Sequence, residues 1–455
     1  MFIGREKELA ELEHRYVGEK KEFGVVYGRR RIGKTKLIRH FAEGKKGIIF
    51  QAKQDSSYGN LRSFSYILNK LTGLPSSFVY SSWMEALDAV KQAAGNDRFL
   101  FIIDEYPYIV SQDHSFPSAL QEFVDTAPAN FFIILTGSNV SFLKNELKDK
   151  KSPLYKRRTF EMQIVKMPFA EAQQFLEGMS DEDKARYMAL MSSYPYYLAS
   201  IDHSLSFEEN LIRLLFNQYG TFFDLPDQIL SNSTKKQDIY NAILNSISHR
   251  HYSLSEISED IHEETGKVSK YLNTLLHSEI VEKRTTFMGT KKSNYYAISD
   301  PMIRFWYSFI FAEQELIKAN GEAVFRTQSE NISNFLNKGF EDVAILYLEQ
   351  MNQNGQLPGI FPKIQNFKAD KTTLGRSVEI DGMARSGNTL LVVECKYRNS
   401  AFTKEMLDHL KESASIFSSK LAREYYIFSK SGFEEAIKKE PHVHCVDLHD
   451  LWTLS

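Results

Sequence analysis

The chain has 455 residues, 42% hydrophobic and 25% charged, with a formal net charge of −2. It is too long for one core, so roughly two to four domains are expected. It lacks the global basic field of a chain that coats nucleic acid, so any such contact must come from local patches. The two cysteines, Cys395 and Cys445, have no metal-ligand spacing. Gly4-Arg5-Glu6-Lys7-Glu8 interrupts any apolar leader, and no apolar run approaches bilayer length. These features point to a cytoplasmic chain in a reducing compartment, with no membrane partner.

In chain order, Phe2-Ile3-Gly4-Arg5 opens the sequence and Phe23-Gly24-Val25-Val26-Tyr27 reads as a buried strand. Gly28-Arg29-Arg30-Arg31-Ile32-Gly33-Lys34-Thr35 follows and fits G-x-x-x-x-G-K-[ST], with a helix opening at Lys36-Leu37-Ile38. Strand, glycine loop and helix are the context of a phosphate cradle: curled backbone N–H groups and a helix N-terminus face one anion. Lys34 is expected on the β- and γ-phosphates of ATP, and the Thr35 hydroxyl on Mg²⁺. Phe99-Leu100-Phe101-Ile102-Ile103 reads as a strand covered on both faces and ends in Asp104-Glu105. At the carboxyl end of a parallel strand, Asp104 suits the Mg²⁺ shell and Glu105 suits the attacking water. Phe131-Phe132-Ile133-Ile134-Leu135 predicts another strand, ending in Thr136-Gly137-Ser138-Asn139, where Ser138 would sense the γ-phosphate or hold the water. Arg157 or Arg158 reads as an arginine finger, in cis or from a neighbour in a homo-oligomer, or else as an ordinary basic loop.

These residues together resemble the archaeal-type ATPases of the AAA+/STAND group of P-loop NTPases. The resemblance implies that Phe2, Ile3, Gly4 and Arg5 line the adenine pocket. It also implies a helical lid carrying Gly-Gly-x-Pro near the nucleotide. Here that motif is Ser192-Ser193-Tyr194-Pro195, so Pro195 is kept and both glycines are serines.

Helical spacing continues from about Met167 to Leu230 and then changes. Ile239-Tyr240, Ile243-Leu244 and Ile247 give one apolar stripe; Leu254, Ile257 and Ile261 a second; Val268, Tyr271-Leu272 and Leu275-Leu276 a third. Ile280–Arg284 and Ser293–Ile298 read as two strands around Gly289, completing a winged-helix pattern. Lys267, Lys270, Arg284, Lys291 and Lys292 make a modest basic face, suited to DNA phosphates; a plain protein spacer is the other reading. The aromatic segment Asp300–Tyr307 predicts a packed linker.

Phe340–Tyr347 reads as a helix with Glu341 near its start. Ser377–Met383 and Asn388–Tyr397 read as a hairpin through Arg385-Ser386-Gly387-Asn388, placing Asp381 beside Glu394, with Glu394 and Lys396 on one face. Two carboxylates there would hold Mg²⁺, and Lys396 would steady charge on a phosphodiester. A helix from Thr403 to Phe417 and a strand Glu424–Phe428 follow. This pattern resembles the PD-(D/E)XK nuclease superfamily. The resemblance implies Asp381, Glu394 and Lys396 as the acid-acid-lysine set and Glu341 as the additional helix acid, with Ile380 in place of the leading proline.

The expected architecture is an α/β P-loop NTPase (parallel sheet with helices on both faces) with a helical lid, a winged helix and a C-terminal α/β restriction-endonuclease-like domain. The expected divisions are 1–165, 166–230, 231–300, an aromatic linker 301–335, and 336–455. The expected activity is ATP hydrolysis coupled to DNA binding or metal-dependent DNA cleavage. The alternative is a STAND-type switch whose last domains only bind.

Overall fold

The structure is a computed structural model that describes residues 2–230, 237–289, 294–370, 372 and 374–454, without the side chains of Leu147, Asp227 and Gln228. The chain folds into two compact units, 1–167 and 168–455. Among the described residues no helix is long and apolar enough to cross a membrane.

In the first unit, five strands form one sheet: β1 (Glu22–Tyr27), β2 (Gly47–Gln51), β3 (Phe99–Asp104), β4 (Phe131–Gly137) and β5 (Phe160–Gln163). Their spatial order is β2-β3-β4-β1-β5 and every pairing is parallel. Side chains alternate across a strand, so the apolar runs fill two cores. Val25, Phe101, Ile103, Ile133 and Leu135 pack on the side of helices Ser57–Thr72, Trp83–Ala94 and Phe116–Thr126. On the other face Phe132 meets Tyr16 of helix Glu6–Val17 and Phe41 of helix Lys34–Ala42, with centroids 5.6 and 5.7 Å apart. Ser56, Ser82 and Asn139 cap helix N-termini by accepting from the third residue on, which fixes where those helices begin. Gly24 admits the Phe160 ring; a Cβ there would lie 1.9 Å from it.

The second unit begins with short helices, among them Asp181–Met191, Pro195–Leu198 and Phe207–Leu215. Three helices follow, Gln237–Ser248, Leu254–Asp260 and Thr265–His277, then an antiparallel pair β6 (Val281–Thr285) and β7 (Asn294–Ile298). The expected Lys291 and Lys292 lie outside the described residues. After helix Pro301–Phe309 comes Gln314–Gln353, bent at Asn320 (φ −161°, ψ 84°). The sequence expectation put Glu341 near a helix start and a boundary at residue 335. The structure runs one helix through that boundary and places Glu341 well inside it. Buried Ile332, Leu336, Phe340 and Val343 keep helical spacing on both sides of 335, so nothing stops the turn there.

The last sheet contains β8 (Gln365–Ala369), β9 (Val378–Ser386), β10 (Thr389–Lys396), β11 (Ala422–Ser429) and β12 (Val443–Asp447), in the order β12-β11-β10-β9-β8. It is mixed: β8-β9-β10 pair antiparallel and β10-β11-β12 parallel. Gly387, at φ 57°, makes the tight connection of the expected hairpin. The expected helix to Phe417 ends at Ala414, and Phe417 instead packs edge-on against Phe287 and Phe367.

Candidate functional site

The loop between β1 and helix Lys34–Ala42 carries two left-handed residues, Arg31 (φ 74°) and Gly33 (φ 89°). At Gly28 the constraint is space: an added Cβ would come within 2.2 Å of the Ile164 carbonyl oxygen. Lys34 is buried and donates from Nζ to the Arg29 carbonyl at 2.7 Å, inside its own loop. Burial pushes the Lys34 pKa down to about 8, although Glu105 and Asp104 pull it up.

Asp104, at the end of β3, is 2% exposed. Its Oδ2 accepts from the Thr35 hydroxyl at 3.0 Å, and its Oδ1 accepts from the Thr136 hydroxyl. A carboxylate and a hydroxyl joined in this way are hard oxygen donors and fit Mg²⁺. Glu105 is in the left-handed region at φ 57°, an unusual conformation for a side-chain-bearing residue. The Ser138 hydroxyl lies 2.8 and 2.9 Å from its two carboxylate oxygens, and the Ser138 N–H donates to Oε2 at 3.1 Å. Ser138 therefore holds Glu105.

Phe2 stacks on His40, centroids 4.3 Å apart, which places the N-terminal segment beside the loop helix. Gly4 has φ 70°. Arg5 is buried and donates to the carbonyls of Ile32 (3.0 Å) and Val165 (2.7 Å), so its guanidinium ties this segment to the glycine loop. Arg30 donates to the Tyr108 hydroxyl at 2.7 Å, a partner the sequence did not single out.

The structure does not bring Arg157 and Arg158 to this loop as a finger in cis. They precede Thr159, whose N–H bonds to the Phe23 carbonyl at the start of β1. The phosphate loop lies beyond the other end of that strand, about 16 Å away at ordinary strand rise. Parallel pairing of β1 and β5 forces this, because it puts both strand beginnings on one edge. Arg157 instead makes a bidentate pair with Asp125 (2.8 and 3.0 Å), and Arg158 pairs with Glu161 at 2.9 Å. Pro195, in the second unit, is the first residue of helix Pro195–Leu198.

A second cluster lies in the second unit. The Val393–Gly382 pairing of β10 with β9 sets Asp381 next to Glu394, and Asp381 Oδ2 accepts from the Cys395 N–H at 2.8 Å. Lys396 donates to Glu394 Oε1. Burial, then the charge of Asp381, raises Glu341 to about 8 and Glu394 to about 7; burial also raises Asp381. The four predicted side chains thus share one electrostatic site. Its carboxylates are hard oxygen donors that fit Mg²⁺. Among the described residues no group of three or more His, Cys, Asp or Glu forms a ready-made metal cage. Two neighbours escaped the sequence reading: Lys338 and Glu379 both act on Glu341 and Asp381. Spacing would have found them, since Lys338 is one helical turn before Glu341 and Glu379 is two strand residues before Asp381.

A parallel sheet, a glycine loop running into a helix, and a buried aspartate bonded to the loop threonine define a P-loop ATPase unit. Residues 2–201 match the family described as an ATPase domain predominantly from Archaea. Residues 306–410 match a family described as archaeal and bacterial proteins of unknown function. An uncharacterized protein of Methanocaldococcus jannaschii is 27% identical over 408 residues, 88% of each chain. An uncharacterized ATP-binding protein of the same organism is 48% identical over 46 residues, 10% of this chain and 78% of its own. The Walker-type ATPase of Pyrococcus abyssi is similar in fold, with a TM-score of 0.52 and 19% identity over 68% of this chain and 96% of that one.

Proposed function

We propose that the protein hydrolyses ATP in its first unit and uses the nucleotide state to control metal-dependent cleavage of DNA by its C-terminal sheet domain. In this reading residues 1–165 are the ATPase core, 166–230 the lid, 231–300 a winged helix, 301–335 a linker and 336–455 a PD-(D/E)XK nuclease-like domain. Lys34 leaves the Arg29 carbonyl for the β- and γ-phosphates, and Thr35 with Asp104 would hold Mg²⁺. Glu105, oriented by Ser138, accepts the proton of the attacking water.

The observation that carries the second activity is the convergence of Glu341, Asp381, Glu394 and Lys396. Carboxylates driven upward by burial and by each other are poorly placed as lone anions, and a divalent cation relieves both effects. Asp381 and Glu394 would hold Mg²⁺, which when bound neutralises phosphate charge and acidifies a water. Lys396 supplies fixed positive charge to the phosphodiester. The test is nicking of supercoiled plasmid in Mg²⁺ or Mn²⁺, with and without ATP. Lys396→Ala is expected to lose nicking and keep ATP turnover, whereas nicking by that variant would overturn the assignment.

A STAND-type switch that binds without cleaving is the second reading. It is favoured by the pairing of two basic residues of the winged-helix segment with acids: Lys267 with Glu263 at 2.6 Å and Arg284 with Glu282 at 2.8 Å. Both pairs diminish the face available to a phosphate backbone.

A further inference from the structure

Hydrolysis of ATP gathers charge on the γ-phosphoryl oxygens as the bond to ADP breaks, and a cation must meet it there. Arg157 and Arg158 lie beyond the other end of β1 and cannot do so within one chain. The glycine loop carries three arginines of its own, Arg29, Arg30 and Arg31. They are not equivalent. Arg29 gives its carbonyl to the Lys34 ammonium, and Arg31 takes the left-handed turn at φ 74°. Arg30, between them, sends Nη2 to the Tyr108 hydroxyl at 2.7 Å.

Tyr108 is held by the strands that carry the acids. Its N–H donates to the Glu105 carbonyl at 3.0 Å, and the Tyr106 N–H donates to the Thr136 carbonyl at 2.9 Å. The turn Pro107–Val110 is thereby fastened to the ends of β3 and β4, which also deliver Asp104, Glu105 and Ser138. The fully buried Tyr106 ring, packed against Phe116, closes the inner side of that turn. Arg30 is electrically close to the phosphate lysine as well, since its charge is one of the influences that lower Lys34. Asp104 and Glu105 share the pocket and pull Lys34 the other way; they accept from the hydroxyls of Thr35, Thr136 and Ser138. Arg30 and Tyr108 are both half-buried, within reach of a ligand on the loop.

We propose that Arg30 is a built-in arginine finger, a catalytic residue that steadies the γ-phosphoryl group in the transition state, with Tyr108 as its positioning residue. The inference rests on the ATPase reading above. In the step, the water oxygen bonds to the γ-phosphorus and the water proton passes to Glu105. The bond from that phosphorus to the β–γ bridging oxygen breaks, and its electron pair leaves with ADP. Arg30 N–H groups donate to the γ-phosphoryl oxygens as their charge redistributes. A guanidinium suits this role because it is planar, always charged and rigidly forked. Anchoring it on a phenol, which is neutral, keeps its charge and removes part of the roughly 2 kcal/mol of rotamer freedom that an arginine side chain carries.

The test measures steady-state ATP turnover of the full chain in Mg²⁺. Separately, it measures capture of ADP with aluminium fluoride, a mimic of the flattened γ-phosphoryl group. Arg30→Ala is expected to lower kcat at least about a hundredfold and to lose fluoroaluminate capture, with the Kd for ADP unchanged. Tyr108→Phe keeps the ring and should lower kcat about tenfold, again with ADP binding intact. Unchanged ADP binding shows that the loop is folded in both variants. The proposal is overturned if Arg30→Ala loses less turnover, if it captures fluoroaluminate normally, if its ADP binding falls in step with kcat, or if Tyr108→Phe turns over like wild type. Turnover per chain that climbs with protein concentration and vanishes in Arg157→Ala or Arg158→Ala gives the finger to a neighbour and overturns it too. A wild type without turnover removes the ATPase reading together with this proposal, whereas turnover that survives Arg30→Ala removes the proposal alone.

Discussion

Replacing Lys34 by methionine should abolish nucleotide binding and yet stabilise the nucleotide-free protein. The lysine is buried, and its pKa falls from the ordinary 10.5 to about 8 because burial opposes its charge. That gap corresponds to about 3 kcal/mol of destabilisation at pH 7. Methionine removes the charge and keeps the length, but it leaves the Arg29 carbonyl without its donor, a loss of about 1 kcal/mol. A net gain of about 2 kcal/mol remains, or roughly 4–8 °C in the melting of a unit of this size. The sign with pH is fixed by linkage. Between about pH 8 and 10.5 the unfolded lysine holds its proton and the folded one does not, so wild-type stability rises across that window. The variant lacks this rise, and its advantage should be full below pH 8 and shrink above it. Thermal melts of both proteins in EDTA, at pH 7 and at pH 9.5, measure the difference. With a nonhydrolysable ATP analogue and Mg²⁺ at about 100-fold its Kd, the order reverses: wild type gains about 2.7 kcal/mol and the variant nothing. A variant less stable than wild type at pH 7, or an advantage that ignores pH, would refute the buried-charge argument.

Three further outcomes are expected. Gly28→Ala drives a Cβ into the Ile164 carbonyl, so the loop must shift: thermal melting should report about 1–3 kcal/mol of destabilisation, and titration with a fluorescent ATP analogue should find binding largely gone. Ser138→Ala removes the hydroxyl that faces both Glu105 oxygens; steady-state kinetics should give kcat down about tenfold with the ATP Kd unchanged, whereas a shift confined to Kd would place Ser138 on the nucleotide instead. Arg157→Ala breaks an exposed ion pair on the far edge of the sheet, so dilute protein should keep its turnover and lose under about 1 kcal/mol of stability; a collapse in turnover confined to concentrations where the chain self-associates would mean that the arginine serves a neighbour.

The phosphate loop and the aspartate strand were legible because each is a local pattern with a single structural solution. Phe99–Ile103 is apolar without interruption, so it had to be covered on both faces, and parallel topology then delivered Asp104 to Thr35. The acid-lysine hairpin was legible for a similar reason: period-two spacing and a two-residue turn fix which side chains share a face. What depends on distant pairing was not legible. Nothing near Arg157 announces that β5 runs alongside β1, and that pairing carries the basic pair away from the phosphates. The hydrogen bonds of Arg5 were hidden likewise, because the two carbonyls that engage it are supplied by residues 32 and 165. Glu341 was singled out by the family resemblance and misplaced by its helix, since polar Asn331, Asn334 and Lys338 mask a continuous apolar stripe on the opposite side.

Helix Gln314–Gln353 has one consequence of a mechanical kind. At Gly339 it lies so near Ala189, of helix Asp181–Met191, that a Cβ would come within 2.9 Å of the alanine methyl; two residues later the same helix presents Glu341 to the acid pocket. One rod is thus shared by the helical bundle and the inner strands β9 and β10 of the last sheet. A bulkier side chain at 339 would push the rod off Ala189 and carry Glu341, half a turn on, out of register with Asp381.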